Sequence, residues 1–284
     1  MDVDVQGVTR SVTVVGEPGD EGPRALVLVF HGSNQDGQGH RAFTGNTYDQ
    51  LVEQGAVVAY LDGYQGNWND ARRHSAFPAR TAGMDDIGFA RAVVDALVTR
   101  RGIDRHRVFA VGFSNGGQMV LRLIHEAPEL VAGAAVIAAT MPAPEDFLVP
   151  DGPAVPMPVL LVHGTKDRIV PYRGGEMSGW ARRLFKVGGR SLSMPQTAAH
   201  FAARNGISAE PVRATISGGG RGRRRTWVER TRYAQDASAP VDLYTVHGGG
   251  HTVPGPRRAP FVLGATHRGV STADLVSAFF GLGG

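Results

Sequence analysis

Short apolar runs alternate along the chain with longer segments in which apolar residues recur every three or four positions. The runs predict β-strands at residues 11–15, 25–30, 56–61, 107–111, 133–138, 159–163 and 241–246. Several are continuous stretches of Val, Leu and Ala, which is typical of strands covered on both faces. The helical periodicity predicts helices at residues 85–101, 115–125, 195–204 and 271–280. Together they predict an α/β fold with a mainly parallel central sheet flanked by helices on both faces.

The 284 residues fit a single domain, 1–284. Two segments of this domain interrupt the alternation of predicted strands and helices. Residues 173–193 are rich in Gly, Arg and Ser, and we interpret them as a possible lid or substrate-covering segment. Residues 218–225 form a Gly-Arg run before a strand-like segment at 226–233. This run predicts a solvated hairpin loop, with binding of RNA or an anionic surface as the alternative, which the lack of interleaved aromatic residues weakens.

The composition excludes several classes of protein. Hydrophobic residues make up 42% and charged residues 20%, which is typical of a globular protein. Because there is no cysteine, disulfides, thiolate metal sites and a cysteine nucleophile are excluded. A net charge of +4 does not by itself indicate a nucleic-acid partner. The longest apolar stretch, residues 130–141, falls short of the ~18–20 residues of a membrane span. We therefore expect no nucleic-acid or membrane partner and no metal, and the oligomeric state stays open.

The N-terminal segment MDVDVQGVTR is acidic and is not apolar. It does not have the pattern of a signal peptide. The expectation is a cytoplasmic protein, or a secreted one whose leader has been removed.

The segment Gly112-Phe113-Ser114-Asn115-Gly116 fits the G-x-S-x-G pattern of a nucleophile elbow. It lies between a predicted strand and a predicted helix, so Ser114 would project from a tight turn at a helix N-terminus. The dipole and free N–H groups of that terminus favour negative charge. On its own the pattern is weak, because a glycine-rich turn gives the same letters.

Three further motifs follow predicted strands. Ser33 ends Phe30-His31-Gly32-Ser33, and its backbone N–H and that of Asn115 are candidate oxyanion donors. Asp167 ends His163-Gly164-Thr165-Lys166-Asp167, where a carboxylate that orients a histidine is expected. His251 follows a run of three glycines after the last strand. Each could alone be a turn, cap or core residue, but the order Ser114, Asp167, His251 is that of a serine-hydrolase triad.

Two histidines compete for the role of base. His247 follows the strand at 241–246 directly, which ties its position to the sheet edge. His251 lies beyond glycines that can take unusual backbone angles and carry it over the elbow. We therefore predict His251 as the base.

Several motifs in combination resemble the α/β-hydrolase esterases of the polyhydroxybutyrate depolymerase and feruloyl esterase group. They are HGSNQDG, DDIGF, Ile103-Asp104 with Arg107-Val108, GFSNGG, HGTKDRIVPY and GGGHTVPG, and they cover roughly residues 10–280. The resemblance implies an α/β-hydrolase fold, a serine esterase mechanism and no cofactor. It also implies Ser114 as nucleophile, Asp167 as acid, His251 as base, and Ser33 and Asn115 as oxyanion donors.

The same resemblance suggests where substrate would bind. Trp68, in Gly-Asn-Trp-Asn-Asp, resembles an aromatic segment near the mouth of that group's active site, and Met141 is a second candidate for substrate binding. Many members of the group are secreted and have cysteines and a signal peptide, whereas this chain has neither.

The function expected from the sequence is hydrolysis of a carboxylic ester through an acyl-enzyme. The substrate would be a small or oligomeric ester with a hydroxyalkanoate, feruloyl or short-chain acyl group. One alternative is a peptidase or amidase on the same fold. The other is a catalytically silent binding module, which would require a missing triad residue.

Overall fold

The structure is a computed structural model that describes residues 1–17, 23–149, 155–218 and 226–283. The β-strands are β1 (Asp2–Val5), β2 (Val8–Val15), β3 (Arg24–Phe30), β4 (Ala56–Leu61), β5 (Ile103–Phe113), β6 (Gly133–Ile137), β7 (Val159–Gly164), β8 (Gly175–Glu176), β9 (Arg190–Ser191), β10 (Val212–Ser217), β11 (Trp227–Tyr233) and β12 (Val241–His247). The α-helices are α1 (Gly37–Phe43), α2 (Pro78–Thr81), α3 (Asp86–Arg101), α4 (Asn115–Glu126), α5 (Gly179–Phe185), α6 (Met194–Arg204) and α7 (Thr272–Phe280). Short 3₁₀ helices span Thr47–Gln54, Pro128–Leu130, Pro144–Asp146 and Phe261–Leu263.

One large sheet organises the chain. Its strand order is β1-β2-β4-β3-β5-β6-β7-β12-β11-β10. The central strands β4, β3, β5, β6, β7 and β12 pair in parallel with their neighbours. Antiparallel strands extend the sheet at both edges. The mainly parallel sheet that the apolar runs predict is thus confirmed.

Helices cover both faces of this sheet. Along β3, Leu26, Leu28 and Phe30 pack with residues of α3, α4 and α6 in one apolar cluster. The alternating residues Val27 and Val29 pack on the opposite face with residues of α7 and the first 3₁₀ helix. Because successive side chains of a strand point to opposite faces, a strand of consecutive apolar residues is buried on both faces of the sheet. This confirms helices on both faces.

The predicted central strands and the four predicted helices are present, with ends that move by a few residues. β5 begins four residues before its predicted start, in a polar segment where no apolar run indicates a strand. The strands missed in the sequence lie at the edges or in the small β8–β9 ribbon. β10, for example, is mostly exposed and therefore lacks an apolar signature. Edge strands need to bury little, so their sequences resemble loops.

The segment at 173–193 contains β8, α5 and β9. Isolated bridges join it to the rest of the molecule, Ser75 pairing with Val187 and Pro142 with Ser191. The single-domain organisation and a lid role for the segment stay predictions. The Gly-Arg run predicted as a hairpin loop falls at residues 219–225, beyond Gly218 and outside the described residues. Among the helices of the described ranges, none combines the length and the apolar character needed to cross a bilayer.

Candidate active site

Four predicted site residues follow the carboxyl ends of parallel strands. Ser33 lies three residues after β3, and Ser114 follows β5 directly. Asp167 lies three residues after β7, and His251 lies four residues after β12. Because parallel strands end at one edge of a sheet, this topology brings together residues far apart in the sequence.

Ser114 has a strained backbone. Its φ of 54° and ψ of −115° lie in a region that non-glycine residues rarely occupy, at a cost of about 1–3 kcal/mol. A Cβ at Gly112 would overlap the carbonyl of Gly116, and a Cβ at Gly116 would overlap the carbonyl of Phe30. The two glycines of the motif are therefore required by close backbone contacts, and the turn places Ser114 at the N-terminus of α4.

A chain of hydrogen bonds joins the three predicted triad residues. The Ser114 Oγ lies 2.8 Å from His251 Nε2, and His251 Nδ1 lies 2.7 Å from Asp167 Oδ2. Since the ionised carboxylate can only accept, Nδ1 carries the proton in the neutral ring, and Nε2 is left to accept the hydroxyl proton. His251 and Asp167 are buried, with 4% and 8% of their surface exposed.

Asp167 is held as a carboxylate by its surroundings. Its Oδ1 accepts hydrogen bonds from the backbone N–H groups of Ile169 and Val170, at 2.8 and 2.9 Å. Burial acts to raise the pKa of Asp167, but the charge of His251 and hydrogen bonds from His163 and His251 outweigh it. The net result is a pKa well below the ordinary range of an aspartate.

His163 is a contributor to this site that the sequence analysis left without a role. Its Nε2 lies 3.3 Å from Asp167 Oδ2 and 2.9 Å from the carbonyl oxygen of Val170. Its imidazole therefore supports both the carboxylate and the loop that follows it. The available signal was its place at the end of β7, four residues before the acid in the same motif.

The two candidate oxyanion donors line one space with Ser114. Within the described part of the chain, neither the Ser33 nor the Asn115 backbone N–H has a hydrogen-bond partner. Ser33, Ser114 and Asn115 border the same opening. Both N–H groups are thus available to a ligand there.

His31 stabilises the peptide that carries the Ser33 N–H. Its Nε2 accepts a hydrogen bond from Gly63 N–H at 2.8 Å, so its Nδ1 donates to the Gly32 carbonyl oxygen at 2.7 Å. Burial lowers the pKa of His31 to about 4, which keeps the ring neutral at neutral pH. The neutral ring therefore holds the Gly32–Ser33 peptide in one orientation.

The structure corrects the prediction that Trp68 forms part of the substrate-binding wall. Its side chain is fully buried, with 0% exposed, and its ring packs edge-on against Phe30 at 5.1 Å. The indole N–H donates to the His31 carbonyl oxygen and the backbone N–H donates to Asn115 Oδ1, both at 2.9 Å. Trp68 therefore joins the two segments that carry the candidate oxyanion donors, and its buried ring does not face the opening.

Met141 is also corrected from a substrate contact to a core residue. Only 3% of it is exposed, and it belongs to the larger apolar cluster. Its backbone N–H donates to Thr197 Oγ1 at 3.1 Å, and its carbonyl accepts from Leu192 N–H at 2.8 Å. Its neighbours Thr140 and Pro142 line a small cavity near the site.

The opening in front of Ser114 has further lining residues that the sequence analysis missed. They come from the loop after β4, from α4, from the loop after β7 and from the 173–193 segment: Arg72, Phe77, Gln118, Ile169, Val170, Met177 and Phe185. Gln118 had a sequence signal, since it lies one helical turn after Ser114, and Met177 and Phe185 lie in the segment interpreted as substrate-covering. The others depend on how loops fold over the sheet.

His247 lies apart from this constellation. At the end of β12, its ring stacks on Trp227 with centroids 3.7 Å apart and planes 6° apart. The structure therefore brings His251, and not His247, to Ser114. Within the described ranges, no group of three or more His, Asp or Glu side chains is arranged to hold a metal ion.

Comparison with known proteins identifies the family. A model of the phospholipase/carboxylesterase family matches residues 14–186. The putative esterase NocK of Nocardia uniformis subsp. tsuyamanensis is 35% identical over an alignment covering 100% of this chain and 82% of that protein. Feruloyl esterase B of Piromyces equi is 29% identical over 85% of this chain, which spans 42% of that protein's length.

A solved structure shares the fold. The acetyl xylan esterase from Aspergillus awamori superposes with a TM-score of 0.60 at 16% identity, covering 96% of this chain and 94% of the other. This likeness confirms the α/β-hydrolase fold, and the family model together with the two esterase relatives confirms the resemblance to esterases. The chain belongs to the phospholipase/carboxylesterase family of α/β-hydrolases and is a serine esterase.

Proposed function

We propose that this protein hydrolyses carboxylic esters through an acyl-enzyme, with Ser114 as nucleophile, His251 as general base and Asp167 as the residue that orients His251. The observation that carries the proposal is the continuous hydrogen-bond chain from Ser114 Oγ through His251 to Asp167, at 2.8 and 2.7 Å. Such a chain lets the imidazole accept the serine proton while the carboxylate stabilises the resulting positive charge.

The reaction proceeds in two halves. His251 Nε2 takes the hydroxyl proton as Ser114 Oγ attacks the ester carbonyl carbon, forming a tetrahedral intermediate. Its collapse breaks the bond to the alcohol oxygen, and His251 gives the proton to the departing alkoxide. A water molecule, deprotonated by His251, then attacks the acyl-enzyme. Cleavage of the bond to Oγ releases the acid and returns the proton to Ser114.

The oxyanion of each tetrahedral intermediate would be held by the backbone N–H groups of Ser33 and Asn115. Support comes from their shared opening with Ser114 and from their lack of partners in the described ranges. An oxyanion donor of this kind is typically worth about 3 kcal/mol of transition-state stabilisation. The α4 N-terminus at Asn115 adds the favourable end of a helix dipole.

The proposed substrates are esters with a short-chain acyl, hydroxyalkanoate or feruloyl group. A narrow space at Ser114 supports a small group on one side of the ester. A broad cleft of about 930 Å³ that begins at Asn34, next to Ser33, supports a larger group on the other. A panel of nitrophenyl esters of increasing chain length, methyl ferulate, hydroxybutyrate oligomers and matched anilides would rank these classes. Faster turnover of the anilides would favour the amidase alternative.

The mechanism is tested with Ser114→Ala. We expect loss of ester hydrolysis by several orders of magnitude with the fold retained, and loss of labelling by a serine-directed phosphonate. Ser208→Ala, at an exposed serine after α6, serves as the control and should keep both. A loss of only about tenfold in Ser114→Ala would exclude Ser114 as the nucleophile.

A further inference from the structure

A narrow cavity lies next to the opening at Ser114. It has a volume of about 30 Å³, which corresponds to the space of about two water molecules. Both spaces are bordered by Arg72, Gln118, Val170 and Met177. A group attached to Ser114 can therefore extend into this cavity, provided that it is small.

Gln118 and Thr140 both border this cavity, and each has one polar atom without a partner within the described ranges. Gln118 Oε1 and Thr140 Oγ1 are buried without a hydrogen bond to any described residue. The residues themselves are 4% and 0% exposed. The orientation of the amide is set by its other end, because Gln118 Nε2 donates to the Thr140 carbonyl oxygen at 2.8 Å and a carbonyl can only accept. The amide oxygen, Oε1, is thus the atom without a hydrogen-bond partner.

Three further polar side chains of the cavity wall, those of Arg72, Asp146 and Ser191, already have partners. Arg72 is paired with the buried Asp70. Asp146 lies 3.2 Å from His74 Nε2 and accepts a backbone hydrogen bond from Arg190 at 2.7 Å. The described residues contain fourteen buried side-chain atoms without a partner, and two of these, on Gln118 and Thr140, belong to residues that border a cavity next to Ser114. A ligand in this cavity can supply partners to both atoms.

The location of Gln118 and Thr140 near Ser114 is suited to substrate recognition. Gln118 lies one turn after Ser114 on α4, and its backbone N–H donates to the Ser114 carbonyl oxygen at 3.0 Å. The acyl group stays bonded to Ser114 until water cleaves it, whereas the alcohol must leave towards solvent. The narrow cavity therefore suits the acyl group, and the broad cleft beyond Ser33 suits the departing alcohol.

The chemistry of the two atoms favours a hydroxyl group. An amide oxygen requires a donor, and a threonine hydroxyl can supply one. A single hydroxyl on the substrate can donate to Gln118 Oε1 and accept from Thr140 Oγ1. A purely apolar acyl chain would leave both atoms unpaired. A carboxylate would face the Gln118 oxygen, which is itself an acceptor, and Arg72 on the same wall is already neutralised by Asp70.

We propose that Gln118 and Thr140 form a subsite that binds the hydroxyl of a short hydroxyacyl group, so that these two residues determine the acyl specificity of the esterase. The inference rests on the proposed function, because it takes the acyl group to be carried by Ser114. It assigns a specificity role to two residues that take no part in the bond-breaking steps.

The test compares matched esters that differ by one hydroxyl: ethyl 3-hydroxybutyrate against ethyl butyrate, and ethyl lactate against ethyl propionate. In the wild type, kcat/KM should favour at least one hydroxy ester by about tenfold or more, the factor expected for one hydrogen bond. Thr140→Val should remove most of that preference, and Thr140→Ser should keep it. Thr231→Val, at a buried threonine on β11 away from the cavity, should leave the preference unchanged.

Gln118→Met provides a second, independent variant with the same expectation. Equal turnover of both members of each pair by the wild type would overturn the subsite. So would a preference that survives Thr140→Val and Gln118→Met. Failure of the wild type to hydrolyse any of these esters or to react with a phosphonate at Ser114 would instead overturn the proposed function on which the subsite rests.

Discussion

The indole N–H of Trp68 donates a hydrogen bond to the carbonyl oxygen of His31 at 2.9 Å, in the interior of the protein. The same residue holds the Asn115 side-chain oxygen through its backbone N–H. One buried tryptophan thus links the β3 loop to the nucleophile turn. The relative position of the two candidate oxyanion donors depends on this link.

We expect Trp68→Phe to lower kcat for acetate and bulky esters by a similar factor, about three- to tenfold. The substitution keeps an aromatic ring in the core but leaves the His31 carbonyl without its donor, which also destabilises the fold by about 1–3 kcal/mol. Kinetics on two ester sizes and urea unfolding measure both effects. A decrease in kcat confined to bulky esters would instead indicate that Trp68 contacts the substrate.

His251→Ala and His247→Ala form a matched pair. We expect His251→Ala to lose nearly all activity while it still folds, since it removes the partner of Ser114 Oγ. His247→Ala loses the stacking on Trp227 and should cost about 1 kcal/mol of stability with little change in kcat. Values of kcat/KM on one short-chain ester decide between them. An inactive His247→Ala beside an active His251→Ala would contradict the assignment of the base.

His163 is expected to act through Asp167. His163→Leu removes a hydrogen bond that lowers the pKa of Asp167, so that pKa should rise. Because a higher pKa means protonation of the carboxylate at higher pH, the acid limb of the kcat profile should move upward. His163→Gln can still donate and should restore much of the wild-type profile. An unchanged acid limb in His163→Leu would show that His163 packs in the interior without affecting the ionisation of Asp167.

Acid should destabilise the fold well before the carboxylates titrate. Burial lowers the pKa of His40 to about 3, and it lowers those of His31 and His125 to about 4. The unfolded chain therefore binds protons that the folded chain does not, and stability is fully present above about pH 6.5 and falls below it. Between about pH 6.5 and 4, each such histidine contributes a slope of up to about 1.4 kcal/mol per pH unit.

The measurement is the free energy of unfolding in urea as a function of pH. His40→Phe keeps an aromatic ring beside Phe43 and Phe113 and removes the titrating group. We expect the slope of this variant to fall by about one proton, and His125→Phe should do the same. A slope that both substitutions leave intact would assign the acid sensitivity to other groups.

The positions of Ser114, Asp167 and His251 were predictable because the chemistry restricts both residue type and chain order. Glycines around the serine and strand ends before each residue added independent constraints. The roles of Trp68 and Met141 were not predictable, because the direction of a side chain from a loop depends on the surfaces that close over it. In both cases the apolar surface is buried in the core instead of lining the opening.

His163 and Gln118 show a second kind of limit. His163 stood in a recognised motif and Gln118 directly followed one, but each motif was explained by its reactive residue alone. The neighbours that orient a carboxylate or border a cavity become visible only through distances. The edge strands were missed for a related reason, since β10 buries too little to leave an apolar pattern.

The pairing of β12 with β7 has a consequence for how the enzyme is made. His251, the proposed base, lies 137 residues after Ser114 and four residues beyond the last strand to join the sheet in chain order. A ribosome exposes Ser114 and Asp167 long before His251. A nascent chain that has already formed its central parallel strands would therefore carry Ser114 without its proposed proton acceptor. Ester-cleaving capacity would then arise only late in translation, when the carboxyl-terminal strand docks.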